Sequence, residues 1–125
     1  MLVRVGSRGS RLALTQAGQA ADALRTPGVE IAFVPITTAG DRDRKRPFGQ
    51  IGERGVFVKE IEEALLAGRI DVAVHSAKDM TSTDTDGLTV AAYLERDDPR
   101  DALCGAAEIA PGMRIGTASI RRRAQ

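Results

Sequence analysis

A short apolar run that ends abruptly in polar residues, at positions 71–79 (DVAVHSAKD), constrains the fold of this chain more than any other feature. Residues 72–74 are apolar throughout, which is typical of a strand buried on both faces of a parallel sheet. The polar side chains that follow at once are His75, Ser76, Lys78 and Asp79. Because ligands of open α/β sheets bind at the carboxyl ends of the strands, the sequence predicts a ligand site here.

The composition of the 125-residue chain is ordinary for a globular protein and excludes several functions. Aromatic residues make up only 3% and the formal net charge is +1, so we expect neither a nucleic-acid partner nor a membrane. Cys104 is the only cysteine, which excludes an internal disulfide and a thiolate zinc site. With one histidine as well, the sequence predicts no metal site, and a reducing, cytoplasmic setting fits best.

Hydrophobic periodicity predicts alternating strands and helices, which is typical of an α/β fold. Strands are predicted at residues 2–5, 29–37, 71–74, 88–94 and 113–117, with a short strand and turn at 103–108. Helices are predicted at residues 11–25, at 56–67 and from Ile120 onward, and a long loop at 38–55. Ser10 and Ser119 stand where helix N-caps are expected, and Gly68 stands just past a helix end.

A charged stretch at residues 95–101 (ERDDPRD) predicts a hinge between two units. We assign residues 1–95 to a first α/β domain, 96–103 to a linker and 104–125 to the beginning of a second α/β domain. The helix from Ile120 has only about one and a half turns, which is too short to bury a useful face. The second unit is therefore expected to be incomplete.

Three segments, at residues 6–10, 75–79 and 116–122, share one design, in which a strand ends and a helix begins beside a cation. Helix N-termini attract anions, and an arginine fork adds specificity for carboxylates, so three such segments predict a ligand with several acidic groups. Taken alone, Arg8 and Ser10 are explained more simply as surface residues, and His75 as an orienting or core histidine. Asp79 could pair with Lys78 or cap a short helix, yet a lone carboxylate at this edge would also stabilise a transient cation.

Four stretches of the chain resemble the porphobilinogen deaminase family, also called hydroxymethylbilane synthases. They are residues 6–17 (GSRGSRLALTQA), 55–80 (GVFVKEIEEALLAGRIDVAVHSAKDM), 95–103 (ERDDPRDAL) and 115–125 (IGTASIRRRAQ). They stand in family order, and the combination of FVKE, AVHSxKD, DPRDA and GTxSxRR is highly specific. The resemblance implies a doubly wound mixed sheet similar to domain 1 of type II periplasmic binding proteins, followed by the truncated start of a second domain.

The resemblance also implies an activity. Enzymes of this family join four porphobilinogen molecules head to tail, with release of ammonia, in tetrapyrrole and heme biosynthesis. Each pyrrole carries an acetate and a propionate, which matches the ligand with several acidic groups. The growing chain is held on a dipyrromethane cofactor, bound through a thioether to a cysteine of the third family domain. Cys104 matches no such motif, so we expect no covalently bound cofactor here.

The resemblance assigns roles to individual residues. Asp79 takes the catalytic role, in which its carboxylate holds the pyrrole N–H groups and stabilises the cationic azafulvene formed on loss of ammonia. The residues expected on the carboxylates of cofactor or substrate are Arg8, Ser10, Gln16, Lys59, Ser76, Lys78, Thr117, Ser119, Arg121 and Arg122. The chain departs from the usual family residues at Arg11, Ala39, Arg54, Met80, Thr81 and Ala118.

The family fold has three domains, so the 125-residue chain is expected to be an inactive fragment of such an enzyme. Two alternatives stay open at this point. The chain could be a non-catalytic anion-binding module, or a subunit that a separately encoded partner completes. An incomplete sheet would expose a strand edge, which predicts self-association.

Overall fold

A computed structural model of the chain describes residues 1–42, 57–81 and 85–124. The chain divides into two compact units, Met1–Leu94 and Glu95–Gln125. The first unit contains every strand of the described residues and three of their α-helices. The second unit contains one short helix, α4 (Ile120–Ala124), after a largely irregular stretch.

A parallel sheet of three strands organises the first unit, in the order β2-β1-β3. The strands are β1 (Leu2–Arg8), β2 (Glu30–Ile36) and β3 (Val72–Ala73). β1 lies between the other two, and its register runs alongside the whole of β2. The α/β prediction is confirmed, although all pairings among the described strands are parallel, whereas a mixed sheet was expected. Because the strands are parallel, their carboxyl ends meet at one edge of the sheet.

Two helix ends of the first unit, the start of α1 and the end of α3, coincide with residues that favour caps. They are α1 (Arg11–Leu24), α2 (Ala39–Arg42) and α3 (Lys59–Leu66), with a 3-10 turn, η1, at Ala77–Asp79. The Ser10 hydroxyl accepts a 3.3 Å hydrogen bond from the Ala13 N–H, which confirms it as the N-cap of α1. Gly68, at φ +65°, ends α3, because a left-handed conformation there lets the next N–H groups satisfy the last helix carbonyls.

The core lies between α3 and the sheet. Ile61, Ala64 and Ile70 form a cluster that is at most 1% exposed, and Val34 and Ile36 of β2 pack against it. The helix predicted at residues 56–67 is α3, which begins at Lys59 and buries the face that carries Ile61 and Ala64; Val56 lies outside the described residues. On α1 only alanines are fully buried, Ala17 and Ala21, and small side chains allow a helix to lie close to a sheet.

Several predicted elements are wrong. Residues 88–94, 103–108 and 113–117 form no strand, and the segment predicted as a loop from residue 38 begins with α2; its residues 43–55 lie outside the described part. An apolar pattern produces a strand only if a neighbouring strand accepts its hydrogen bonds, and none of the described strands pairs with these residues. Tyr93 is 83% exposed, so the side chains of that stretch are not packed as a buried strand's would be.

The short final helix was predicted correctly. α4 begins at Ile120, and the Arg122 N–H donates to the Ser119 hydroxyl at 3.3 Å, which confirms Ser119 as the cap. None of the helices within residues 1–42, 57–81 and 85–124 has the length and apolar character needed to cross a bilayer.

A bidentate ion pair joins β1 to the residue before β3 and makes stability pH-dependent. Asp71 accepts from the Arg4 guanidinium at 2.7 and 2.9 Å and from the Arg4 backbone N–H at 2.8 Å. These bonds lower the pKa of Asp71 to about 2. A carboxyl whose pKa is lower in the folded state stabilises the fold above its unfolded pKa, and this contribution is lost as the pH falls through the folded value.

We therefore expect Asp71→Asn to be less stable than the unsubstituted chain near neutral pH. The difference should shrink as the pH falls from about 4 to about 2, the window between the unfolded and folded pKa values. Urea unfolding followed by circular dichroism across this range measures the difference. A difference that stays constant over the whole range would show that the carboxylate charge of Asp71 contributes nothing.

Candidate functional site

Three charged side chains meet at the carboxyl edge of the sheet, and we call them the Arg8 cluster: Arg8, Asp41 and Asp79. Arg8 is the last residue of β1, Asp41 lies in α2 just after β2, and Asp79 ends η1 after β3. Each strand of the sheet thus delivers one member. The rule that ligand-binding groups follow strand ends therefore accounts for all three.

Asp41 holds Arg8 far more closely than Asp79 does. The Arg8 Nη2 group donates to Asp41 Oδ1 at 2.6 Å, and Nε donates to the same carboxylate at 3.1 and 3.3 Å. The remaining contact, from Arg8 Nη1 to Asp79 Oδ2, is 3.5 Å long and therefore weak. The side chains are only 16–22% exposed, so water screens these charges less than it would at the surface.

Buried Thr38 anchors the Asp41 carboxylate. Its hydroxyl donates to Asp41 Oδ2 at 2.8 Å and its backbone N–H at 3.3 Å, and Thr38 itself is fully buried. Burial alone would raise the pKa of Asp41, but the hydrogen bonds from Arg8 and Thr38 outweigh burial and lower it. Asp41 is therefore a permanent anion at neutral pH.

An aromatic ring lies against the Arg8 guanidinium. The Cζ atom of Arg8 is 3.9 Å from the centroid of the Phe57 ring, within the range of a cation–π contact. Gly40 leaves the room for this ring, because a Cβ atom there would lie 2.1 Å from Phe57 Cε1. A residue larger than glycine at position 40 would therefore displace the ring from the arginine or shift α2.

Gly40→Ala is expected to lower the free energy of unfolding by about 1–3 kcal/mol, the usual cost of inserting a methyl group into a packed site. Gly18→Ala in α1 is the matched control, because nothing lies within 4 Å of its added Cβ. That control should instead raise stability by roughly 0.5–1 kcal/mol, since alanine has the better helix propensity. Chemical unfolding of both variants decides the matter, and equal effects would contradict close packing at Gly40.

A second polar contact at the same strand ends joins two residues that the sequence singled out. The Ser76 hydroxyl donates to Gln16 Oε1 at 2.5 Å, which links the start of η1 to α1. Burial lowers the pKa of neighbouring His75; the negative charges of Glu62 and Asp79 oppose this effect, and Arg8 adds to it. His75 is therefore a neutral imidazole near neutral pH, as expected of an orienting histidine rather than a cation.

The structure brings together only part of the predicted set of site residues. In the first unit, Arg8 meets Asp79 and Gln16 meets Ser76, whereas the Ser10 hydroxyl is used as a helix cap. Lys78 and Lys59 are exposed. Lys78 lies beside Asp79 on η1, while Lys59 is the first residue of α3.

The predicted residues of the second unit form a local network of their own. The Ser119 N–H donates to the Thr117 hydroxyl at 3.1 Å, and Arg122 Nε donates to Asp101 Oδ1 at 2.7 Å. Arg121 is exposed on α4. Asp101 belongs to the DPRDA motif, so two of the family-like motifs meet within this unit.

Sequence reasoning missed Thr38, Asp41 and Phe57 as parts of the site. The signal for Asp41 was available, because it follows the predicted second strand as Asp79 follows the third. Nothing in the sequence pairs Phe57 with Arg8. No group of histidine, cysteine or acidic residues that could hold a metal ion occurs in the part of the chain that the structure describes.

The fold and the Arg8 cluster together define an α/β protein whose parallel strands deliver one guanidinium and two carboxylates to a single edge. The family model for porphobilinogen deaminase, described as its dipyromethane cofactor binding domain, matches residues 3–125. The chain belongs to the porphobilinogen deaminase family. The resemblance noted in the sequence is thereby confirmed.

Porphobilinogen deaminases from several bacteria are similar to nearly the whole chain. That of Caulobacter vibrioides is 49% identical over 140 residues, which cover 98% of this chain and 44% of the relative. Those of Pelobacter propionicus and Syntrophotalea carbinolica are 46% and 48% identical, again over 98% of this chain but 42% and 41% of the relatives. The chain therefore spans less than half the length of the curated relatives it matches.

Proposed function

We propose that this chain supplies the part of a hydroxymethylbilane synthase that binds the dipyrromethane cofactor and porphobilinogen, with Asp79 as the catalytic carboxylate. One observation carries the proposal. Asp79 lies at the carboxyl edge of the sheet, 3.5 Å from Arg8, in a chain that the cofactor-binding-domain model matches over residues 3–125. The relatives named porphobilinogen deaminase support the same activity.

The charges around Asp79 suit the proposed chemistry. Asp41 and Arg8 form a close pair, so the Arg8 cluster as a whole carries one net negative charge, which belongs to Asp79. A carboxylate whose lone pairs are not taken up by a strong partner can accept pyrrole N–H groups. The same carboxylate stabilises the positive charge that develops when porphobilinogen loses ammonia, and more strongly at a partly buried site than in water.

The residues of the first unit fit a dipyrromethane, which carries pyrrole N–H groups and carboxylates. Arg8 uses three of its five N–H hydrogens on Asp41 and Asp79, so two stay available for a ligand carboxylate within the described surroundings. Lys78 adds an exposed ammonium beside Asp79. When bound, the cofactor supplies the primer to which further pyrroles are joined. Cys104 is exposed and free, and we do not assign it the covalent attachment.

Family motifs assign the remaining binding residues. We propose that they contact the carboxylates of cofactor or substrate, as Arg8 and Lys78 do: Ser10, Gln16, Lys59, Ser76, Thr117, Ser119, Arg121 and Arg122. The same proposal includes a doubly wound topology and a likeness to domain 1 of type II periplasmic binding proteins. It also includes the domain boundaries 1–95, 96–103 and 104–125. Cytoplasmic location and self-association through an open strand edge stay predictions.

Ligand binding by the purified 125-residue chain tests the proposed function. We expect calorimetry to show that the chain binds porphobilinogen. Binding of inorganic phosphate should be weak or absent, because Asp79 repels an anion that lacks N–H donors. We expect no uroporphyrinogen I from the chain and porphobilinogen, because the relatives are more than twice as long. Binding of phosphate alone would favour an anion-binding module, and formation of product would contradict the expected inactivity.

A further inference from the structure

We propose that Asp41 is a positioning residue, which holds the Arg8 guanidinium so that Asp79 keeps its negative charge and its lone pairs for the ligand. The proposal rests on the function proposed for Asp79. It concerns the orientation of one side chain, Arg8, and can therefore be tested apart from that function.

The first step is the division of the Arg8 hydrogen bonds. Asp41 receives the Nε and Nη2 groups, the two donors on one side of the guanidinium, with a shortest distance of 2.6 Å. Asp79 receives only Nη1, at 3.5 Å. Bidentate pairing of an arginine with a carboxylate is strong and directional, so Asp41 sets the plane and direction of the group.

The second step is the fixation of Asp41 itself. Thr38, which is fully buried, donates to Asp41 through its hydroxyl and its backbone N–H. The Ala39 N–H at the start of α2 donates to Glu60 Oε1 at 2.7 Å, which ties α2 to α3. Asp41 therefore has partners other than Arg8, and the bonds from Thr38 hold its carboxylate in place.

The third step is the restraint from Phe57. Its ring lies 3.9 Å from Arg8 Cζ and limits movement of the guanidinium out of its plane. Asp41 opposes rotation of the guanidinium towards Asp79, because that rotation would break the hydrogen bonds from Nε and Nη2. The two restraints act in different directions, so loss of Asp41 is not compensated by Phe57.

The consequence concerns the charge at Asp79. Without the Asp41 carboxylate, the fork of Arg8 would be free to turn and pair with Asp79 through two hydrogen bonds. Asp79 would then be neutralised, and the lone pairs that face the ligand would be occupied. A neutral Arg8–Asp79 pair would stabilise a developing cation much less than the present cluster, which carries one net negative charge.

Asp41→Asn tests the proposal, because it removes the charge and keeps the shape. NMR of the ¹⁵N-labelled protein follows the Nε–H group of Arg8. We expect its proton to be protected from exchange with water in the unsubstituted chain and in Asp79→Asn. The protection should be lost, or the signal should move, in Asp41→Asn. We also expect Asp41→Asn to weaken porphobilinogen binding by about tenfold, the effect of one charge-assisted hydrogen bond on an equilibrium. Asp41→Glu, which restores the carboxylate, should recover part of both effects.

Asp71→Asn is the matched control, since Arg4 and Asp71 form another close bidentate pair within the first unit. It should change neither the Arg8 signal nor porphobilinogen binding, although it also removes a bidentate pair. An unchanged Arg8 signal in Asp41→Asn would overturn the proposal. So would a changed signal with unchanged affinity, or equal losses of affinity in Asp71→Asn and Asp41→Asn. If the unsubstituted chain does not bind porphobilinogen, the proposed function fails, while the Arg8 signal still decides the role of Asp41.

Discussion

Asp79→Asn is expected to weaken porphobilinogen binding by about 10- to 100-fold, which corresponds to the loss of one hydrogen bond to a charged acceptor. The reason is electrostatic. Asp79 carries the uncompensated charge of the Arg8 cluster, because Arg8 is already paired with Asp41 at 2.6 Å. The amide has nearly the same shape but no charge, so the site would lose its attraction for N–H groups and cations. Folding should change little, since the contact of Asp79 with Arg8 is 3.5 Å long.

Calorimetry with porphobilinogen measures the loss of affinity, and urea unfolding measures the change in stability. Asp22→Asn is the control, because it makes the same chemical change at a carboxylate that is 72% exposed and pairs only loosely with Arg25. The control should bind porphobilinogen as the unsubstituted chain does. If Asp79→Asn binds porphobilinogen as well as the unsubstituted chain does, the catalytic assignment is wrong. If the variant unfolds before binding can be measured, Asp79 has a structural role and the assignment is wrong as well.

Ile61→Ala is expected to lower the free energy of unfolding by about 2–5 kcal/mol, the usual range for truncating a buried aliphatic side chain to alanine. Ile61 is 0% exposed and packs against Ile70 and Ala64, between α3 and the sheet. Small domains have little stability to lose, so the variant should be largely unfolded near its usual working temperature. Ile61→Val, which removes one methyl group, should cost about 0.5–1.5 kcal/mol and keep the effect measurable.

Leu66→Ala provides the comparison for Ile61, since it lies on the same helix and is 54% exposed. We expect it to change stability by less than about 1 kcal/mol, as surface substitutions usually do. Denaturant unfolding of the three variants should give the order Leu66→Ala, Ile61→Val, Ile61→Ala, from the least to the most destabilised. Any other order would mean that the core of the first unit does not lie where α3 meets the sheet.

Local patterns in the sequence were sufficient to predict β3, α1 and α4, but neither α2, which carries Asp41, nor the extension of β1 to Arg8. The apolar run at residues 72–74 predicted the strand that becomes β3, and the serine caps predicted the beginnings of α1 and α4. These features depend on neighbours within a few residues. The family resemblance was likewise carried by short motifs, and the family match over residues 3–125 confirms it. The binding roles of most predicted site residues stay predictions.

The same kind of reasoning failed where the outcome depended on distant partners. Residues 88–94 and 113–117 have the composition of strands, but a strand forms only where another strand accepts its hydrogen bonds. Sequence spacing could not show that no described strand would pair with these residues. The mixed sheet was implied by the family resemblance rather than by local patterns, and the three described strands are all parallel.

The sequence by itself determined which polar residues follow β3 and where α1 begins, because strand burial and helix capping are set by adjacent residues; β1, by contrast, runs to Arg8, past its predicted end at residue 5. Only the tertiary structure decided how those charges are shared. Arg8 and Asp41 are 33 residues apart, and Arg8 and Asp79 are 71 apart. Arg8 lies closest to Asp41, where Thr38 also binds Asp41 and the Phe57 ring lies against the guanidinium, and these contacts exist only once the parallel strands have brought their carboxyl ends together.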